Sequence, residues 1–197
     1  MSKKSIFSAF VLSAALFSTS AFAQGMYIAG SAGLGMAASS IKSDLDAVMK
    51  AAGITNINSS MANGTALNGA LGYEFNSNFA AEAGYFNSGT LAYTATGTGA
   101  TTIKSDTTVT GFQLAAVGTA PLSDKFAIFG KVGYSILTVD SAVTIGTVKS
   151  TASEKKNGIG YGFGASYKLV DNISIKASYE MITSDVSAFL VGVQIKF

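Results

Sequence analysis

The chain of 197 residues carries 13 basic and 11 acidic side chains, and a net charge of +2 gives no footprint for a nucleic acid. It holds no cysteine, histidine or tryptophan, which excludes disulfide stapling and the usual zinc donor sets. Glycine occurs 22 times and proline once, a balance that suits neither a helical bundle nor a disordered linker.

The first stretch, "MSKKSIFSAFVLSAALFSTSAFAQ", has Lys3 and Lys4, an apolar run over residues 6–17, and Ala21-Phe22-Ala23 ahead of Gln24. This is the layout of a cleaved secretory signal peptide, residues 1–23, with an apolar part too short to span a bilayer. Residues 24–197 are expected to form one β-barrel domain. Loss of Lys3 and Lys4 brings the lysines level with the 11 acidic residues.

Eight segments with a period of two follow: 26–37, 65–75, 79–86, 108–119, 126–137, 158–169, 173–182 and 188–197. Most run about ten residues, the length a tilted strand needs to cross a bilayer. In "GIGYGFGASYKL" the residues Ile159, Tyr161, Phe163, Ala165, Tyr167 and Leu169 alternate with Gly158, Gly160, Gly162, Gly164, Ser166 and Lys168. The faces of the first segment, "MYIAGSAGLGMA", are too alike in Gly and Ala to assign.

Connections 76–78, 120–125 and 170–172 are short, whereas those after the first, third and fifth segments are long; 183–187 is brief. Short turns at one end and long loops at the other make an all-β, eight-stranded antiparallel up-and-down transmembrane β-barrel, whose even strand number lets the first and last strands close the sheet.

Period two alone does not say which face looks out, because a soluble lipocalin-like carrier alternates with its apolar face turned in. The second face decides, being Gly, Ala and Ser with isolated charges. With the apolar set outward, Glu74, Glu82, Lys131, Lys176 and Glu180 all fall in the lumen. The opposite phase sets these charges against hydrocarbon, at about 2 to 4 kcal/mol for each lysine near the midplane and less for glutamate. The total, on the order of 10 kcal/mol, rivals the stability of a domain. Interfacial belts are then expected from Tyr27, Tyr73, Phe75, Phe79, Tyr167 and Phe197 at the turn end, and from Tyr161, Tyr179 and Phe189 at the loop end.

With its leader ending "AFAQ", the strand motifs "YIAGSAGLG", "LGYEF", "AEAGYF" and "GKVGYS", and the terminal "GVQIKF", the chain resembles the small outer-membrane β-barrel family of opacity-type proteins, porin-family proteins and the transmembrane barrel of outer membrane protein A. The resemblance implies residence in the outer membrane of a Gram-negative bacterium. It also implies that Val193, Ile195 and Phe197 form a C-terminal signal read by the outer-membrane assembly machinery.

The lumen charges are expected to form a polar network, with Glu74 and Glu82 facing Lys131 and Lys176, and Glu180 nearer the outer end. A structural ion-pair cluster is favoured over a narrow, low-conductance pore, since side chains fill an eight-stranded barrel. General-base catalysis near neutral pH calls for a side chain of matching pKa, and without histidine no catalytic pairing stands out, so the protein is expected not to be an enzyme. Asp44 and Asp46 are too sparse for a calcium loop. The runs "GSAGLG" and "GIGYGFG" follow strand spacing and lead into no helix, so no cofactor is expected.

In the first loop, "SDLDAVMKAAG" reads as a short helix with Ser43 as N-cap, apolar Leu45, Val48, Met49 and Ala52, and Gly53 as stop. The second loop, "NSGTLAYTATGTGATTIKSD", is expected to turn at 97–99 and prolong its strands, leaving edges open to a partner. The expected partners are therefore membrane lipid, the assembly machinery and a surface ligand held by the loops. The expected role is structural or adhesin-like.

Overall fold

The computed structural model describes residues 25–51, 53–98 and 102–197. The expected leader (1–23), Ala52 and Gly99 lie outside the described residues. The elements are β1 (Met26–Ala37), α1 (Ser39–Ala51), β2 (Asn58–Ala62), β3 (Gly64–Glu74), β4 (Phe79–Thr96), β5 (Thr102–Pro121), β6 (Phe126–Ile145), β7 (Val148–Val170), β8 (Ile173–Met181) and β9 (Val186–Lys196).

Every pairing is antiparallel. Strands β3 to β9 follow one another in space, and β1 lies between β3 and β9, so that β1 and β3 to β9 form a closed eight-stranded ring. Strand β2 continues the line of β3 and pairs with the upper part of β4, Asn58 opposite Thr96. The turn end of the barrel is fixed by side chains that bond the local backbone. Asn76 Oδ1 accepts from the amides of Asn78 and Phe79, both at 2.9 Å, and Ser123 Oγ accepts from that of Phe126 at 3.1 Å.

The apolar faces point outward. Phe112 is 68% exposed, Ile159 72% and Phe163 64%, and Leu67, Leu71, Leu114, Val132, Ile136, Val191 and Val193 join them in a continuous girdle. Water would not tolerate so broad an apolar band, but hydrocarbon does. The lipocalin-like arrangement, with its apolar face turned in, is therefore overturned. On β1 the register settles what composition leaves open: Ile28 and Leu34 look out, and Tyr27, at 2% exposure, looks in.

The sheet is longer at the loop end than the period-two segments predict. Strands β4 to β7 run beyond the girdle, and β6 and β7 meet at a two-residue turn with Gly146 at φ +58° and Ile145 paired with Val148. On β4 the extension begins at a bulge: Asn87 pairs with Thr110 but Thr90 with Thr108, so Ser88 and Gly89 share one partner position. Gly89 takes φ +67°, and the Ser88 hydroxyl accepts the amide of Val109 at 2.9 Å, replacing the ladder bond lost there. The bulge also switches phase, since Glu82 and Phe86 face in below it and Leu91 and Tyr93 face in above.

Helix α1 starts five residues earlier than the sequence suggests, at Ser39 and not at Asp44. Ser43 is not its N-cap: the Ile41 amide donates to Ala38 O at 3.1 Å, and the Ser43 hydroxyl bonds back to Ser39 O. Gly53 does end the helix, at φ +83°, with the amides of Gly53 and Ile54 donating to the carbonyls of Lys50 and Met49. No described helix is long and apolar enough to cross a membrane.

Candidate functional site

The lumen is filled in layers. Nearest the turn end, Tyr27, Ala80, Val117 and Phe129 form an apolar layer. Glycines on the inner face make room for its two rings: a Cβ on Gly72 would run into Tyr27, and one on Gly164 would lie 2.6 Å from Phe129 Cζ. Above it lies the charged layer. Lys131 Nζ is 2.6 Å from Glu180 Oε2 and 4.0 Å from Glu82 Oε2, and Lys176 Nζ is 3.3 Å from Glu82 Oε1. The Tyr27 hydroxyl donates to Glu82 Oε1 at 2.7 Å, Ser178 Oγ donates to Glu180 Oε1 at 3.1 Å, and Lys176 stands 4.5 Å from the centre of the Phe129 ring. A third layer, of Phe86, Leu91, Val109, Leu137, Ile182, Val186 and Leu190, closes the loop-end side.

Two lysines and two glutamates thus compensate one another between apolar layers. The free volume beside them, about 30 Å³ and lined in part by Ser31, Asn68 and Glu180, has room for about one or two waters. Among the described residues no group of three or more His, Cys, Asp or Glu side chains is placed to hold a metal ion.

The expected network differs in one respect: Glu74 faces neither Lys131 nor Lys176 but bonds Lys196, 2.7 Å away at the turn end. Glu180 lies next to the loop end of β8, as expected, and holds the shortest ion pair of the layer, with Lys131. Tyr27, expected in a belt, is instead the lumen's hydroxyl donor to Glu82. The belt residues are placed as follows: Tyr73 and Phe75 meet edge to face with centroids 5.4 Å apart, Phe79 and Tyr167 are exposed, and Phe197 is half-buried with its amide donating to Met26 O. Toward the loop end, Tyr161 is exposed, and Tyr179 is flanked in register by Phe163 and Phe189. On β9, Val193 is exposed and Ile195 half-buried, both on the outward side.

At the loop end, β2, β4, β5, β6 and β7 form a wall rising above the girdle. Its inner side packs Met49 of α1 against Tyr93 and Ala95, with Leu45, Ile54, Met61 and Ile103 around them. Asp46 latches the helix: it accepts from the Tyr93 hydroxyl at 2.6 Å, from Ser59 at 3.0 Å and from Lys42 at 2.9 Å. These bonds, that from Tyr93 first, hold the Asp46 carboxyl at about 2, below the ordinary 3.8. Burial and the bond to Asp46 push the Tyr93 hydroxyl up to about 12. Beneath α1 a cavity of about 90 Å³, lined by Ile41, Leu45, Leu91, Leu137 and Val186, separates the helix from the lumen plug. Val48, another apolar residue of the helix, is 68% exposed.

The outer side of the wall is small and hydroxylated. One register row reads Thr90, Thr108, Asp140, Ser153, and the next Ala92, Asp106, Ala142, Thr151. The β4–β5 hairpin does not have the free edges expected of it, because β2 covers one side of its tip and β6 the other.

Comparison with known proteins agrees with this architecture. Residues 9–197 match the family model of the outer membrane protein beta-barrel domain. No curated protein sequence matches. Among solved structures, the chain is similar to Neisserial surface protein A, with a TM-score of 0.58 and 17% identity over 88% of this chain and 97% of that one. It is also similar to Ail, the attachment invasion locus protein of Yersinia pestis, with a TM-score of 0.50 and 16% identity over 88% of this chain and 99% of that one.

Proposed function

The chain belongs to the outer membrane protein β-barrel family and resides in the bacterial outer membrane, and from that premise we propose that it is a non-enzymatic, closed barrel that displays its loop-end wall to a ligand outside the cell. The observation that carries this reading is the contrast between the two ends of the molecule. The lumen is filled through three successive layers, whereas β6 and β7 continue about 13 residues past the last β7–β8 pair, roughly 40 Å along the strands. A narrow pore would need a wet path, and the apolar layers on both sides of the charges favour a scaffold instead. The attachment role in the name of the similar Yersinia pestis protein points the same way.

Lipid is the proposed partner of the outward girdle and its aromatic rims. The outer-membrane assembly machinery is the proposed reader of Val193, Ile195 and Phe197. The surface role is tested by replacing residues 92–106 and 142–151 with two-residue Asn-Gly turns and counting expressing cells that attach to glass and to fixed epithelial monolayers. Attachment should fall to the level of cells lacking the protein while the heat-modifiable folded band persists. Unchanged attachment would remove the surface role.

A further inference from the structure

The wall has a free edge at β7. Strand β8 pairs with β7 only from Tyr161 toward the turn end, whereas β6 pairs with β7 all the way to Val148. In an antiparallel ladder a residue's N–H and C=O point to the same side, and successive residues alternate. The Lys168 amide donates to Lys125 O at 2.8 Å, on the β6 side, and the β6–β7 register runs without a shift. Even-numbered β7 residues therefore serve β6. Lys149, Thr151, Ser153, Lys155 and Asn157 turn their amides and carbonyls to the opposite side, where no strand lies among the described residues, and all five are exposed.

We infer that this edge, from Lys149 to Asn157, docks an extended acidic segment of a partner protein, which adds a strand to the wall; the inference rests on the surface role proposed above. Backbone bonding gives an edge its affinity and the side chains give its selectivity. Lys149 and Lys155 stand on the outer face of the edge strand with no ion pair among the described residues, and Asp140 lies one strand further in, opposite Ser153. An incoming strand sets its outer-face side chains beside those two lysines, which favours carboxylates. The same lysines disfavour a second copy of this chain, because matched edges would bring like charges together.

The probe is a ten-residue peptide alternating Glu with Thr or Val, compared with its Lys-for-Glu counterpart and with an acidic version N-methylated at alternate amides. Binding is read by fluorescence anisotropy on the protein in nanodiscs. The acidic peptide should bind at least tenfold more tightly than the lysine peptide, and N-methylation should cost tenfold or more. Ser153→Pro should cost as much while leaving the folded band and unfolding midpoint unchanged, since its amide serves no internal bond. Lys149→Glu with Lys155→Glu should reverse the preference. Absence of binding, or binding indifferent to both N-methylation and Ser153→Pro, would overturn the edge. So would a dimer in solution that Ser153→Pro abolishes. If cells carrying Ser153→Pro attach normally while wall-shortened cells do not, the edge is wrong and the surface role stands; normal attachment by wall-shortened cells removes the surface role itself.

Discussion

Replacing Lys131 with methionine tests the closure of the lumen from inside. At an effective dielectric of about 20, two charges 2.6 Å apart attract by about 6 kcal/mol. Desolvation costs several kcal/mol for each ion and offsets most of that, so the intact pair contributes little net stability. Removing one member is a different matter. Methionine fills the volume, but Glu180, 6% exposed, keeps only the Ser178 hydroxyl, and Glu82 retains Lys176 and Tyr27. The loss should be about 3 to 5 kcal/mol, the cost of an uncompensated buried charge. Adding Glu180→Gln should recover more than half of it. The assay is urea unfolding of the protein in lipid vesicles, followed by tyrosine fluorescence and by the electrophoretic shift of the folded band. A loss below about 1 kcal/mol would mean that water reaches Glu180 and that the flanking apolar layers do not seal the charged one.

Two further outcomes follow from the same geometry. The latch at Asp46 has its pKa depressed to about 2 from 3.8, so its contribution is present above about pH 4 and lost as the pH falls through about 2. Limited proteolysis in that window should expose the α1 loop, Asp46→Asn should expose it to trypsin at neutral pH, and a loop equally resistant in both proteins would refute the latch. Deleting Phe197 should lower the amount of folded protein assembled in the outer membrane of cells, and full assembly of the shortened chain would reduce that residue to a contact with Met26.

What was legible in the sequence followed local alternation. Strands such as β3 and β8 have a large apolar face and a small or polar one, so their inward charges, Glu74, Lys176 and Glu180, could be placed before any pairing was known. Partners required the register. Glu74 and Lys196 meet because β1 lies between β3 and β9, with the Glu74 amide bonded to Gly25 O on one side and Lys196 opposite Tyr27 on the other, a relation of three separate segments. Tyr27 was misplaced for a similar reason: both faces of β1 are small, and the space for its ring is supplied by Gly72, on the neighbouring strand. The lengthening of β4 and β5 was legible in the second loop, but that of β6 and β7 was hidden because their outer positions are Thr, Ser, Ala, Asp, Asn and Lys and give no apolar alternation; the "NSG" at residues 87–89 marked the bulge at the base of the wall. The start of α1 was set by tertiary contact, where the Ala38 amide meets Asp185 O at 2.8 Å, a partner 147 residues away in sequence.

The measurement that tests the closed barrel most directly is single-channel recording on the refolded protein in planar lipid bilayers. A lumen sealed on both sides of its charged layer predicts a silent membrane, with Lys131→Glu equally silent wherever the variant inserts. Discrete conductance steps whose ion preference changes with Lys131→Glu would contradict that account and make the charged layer the lining of a pore.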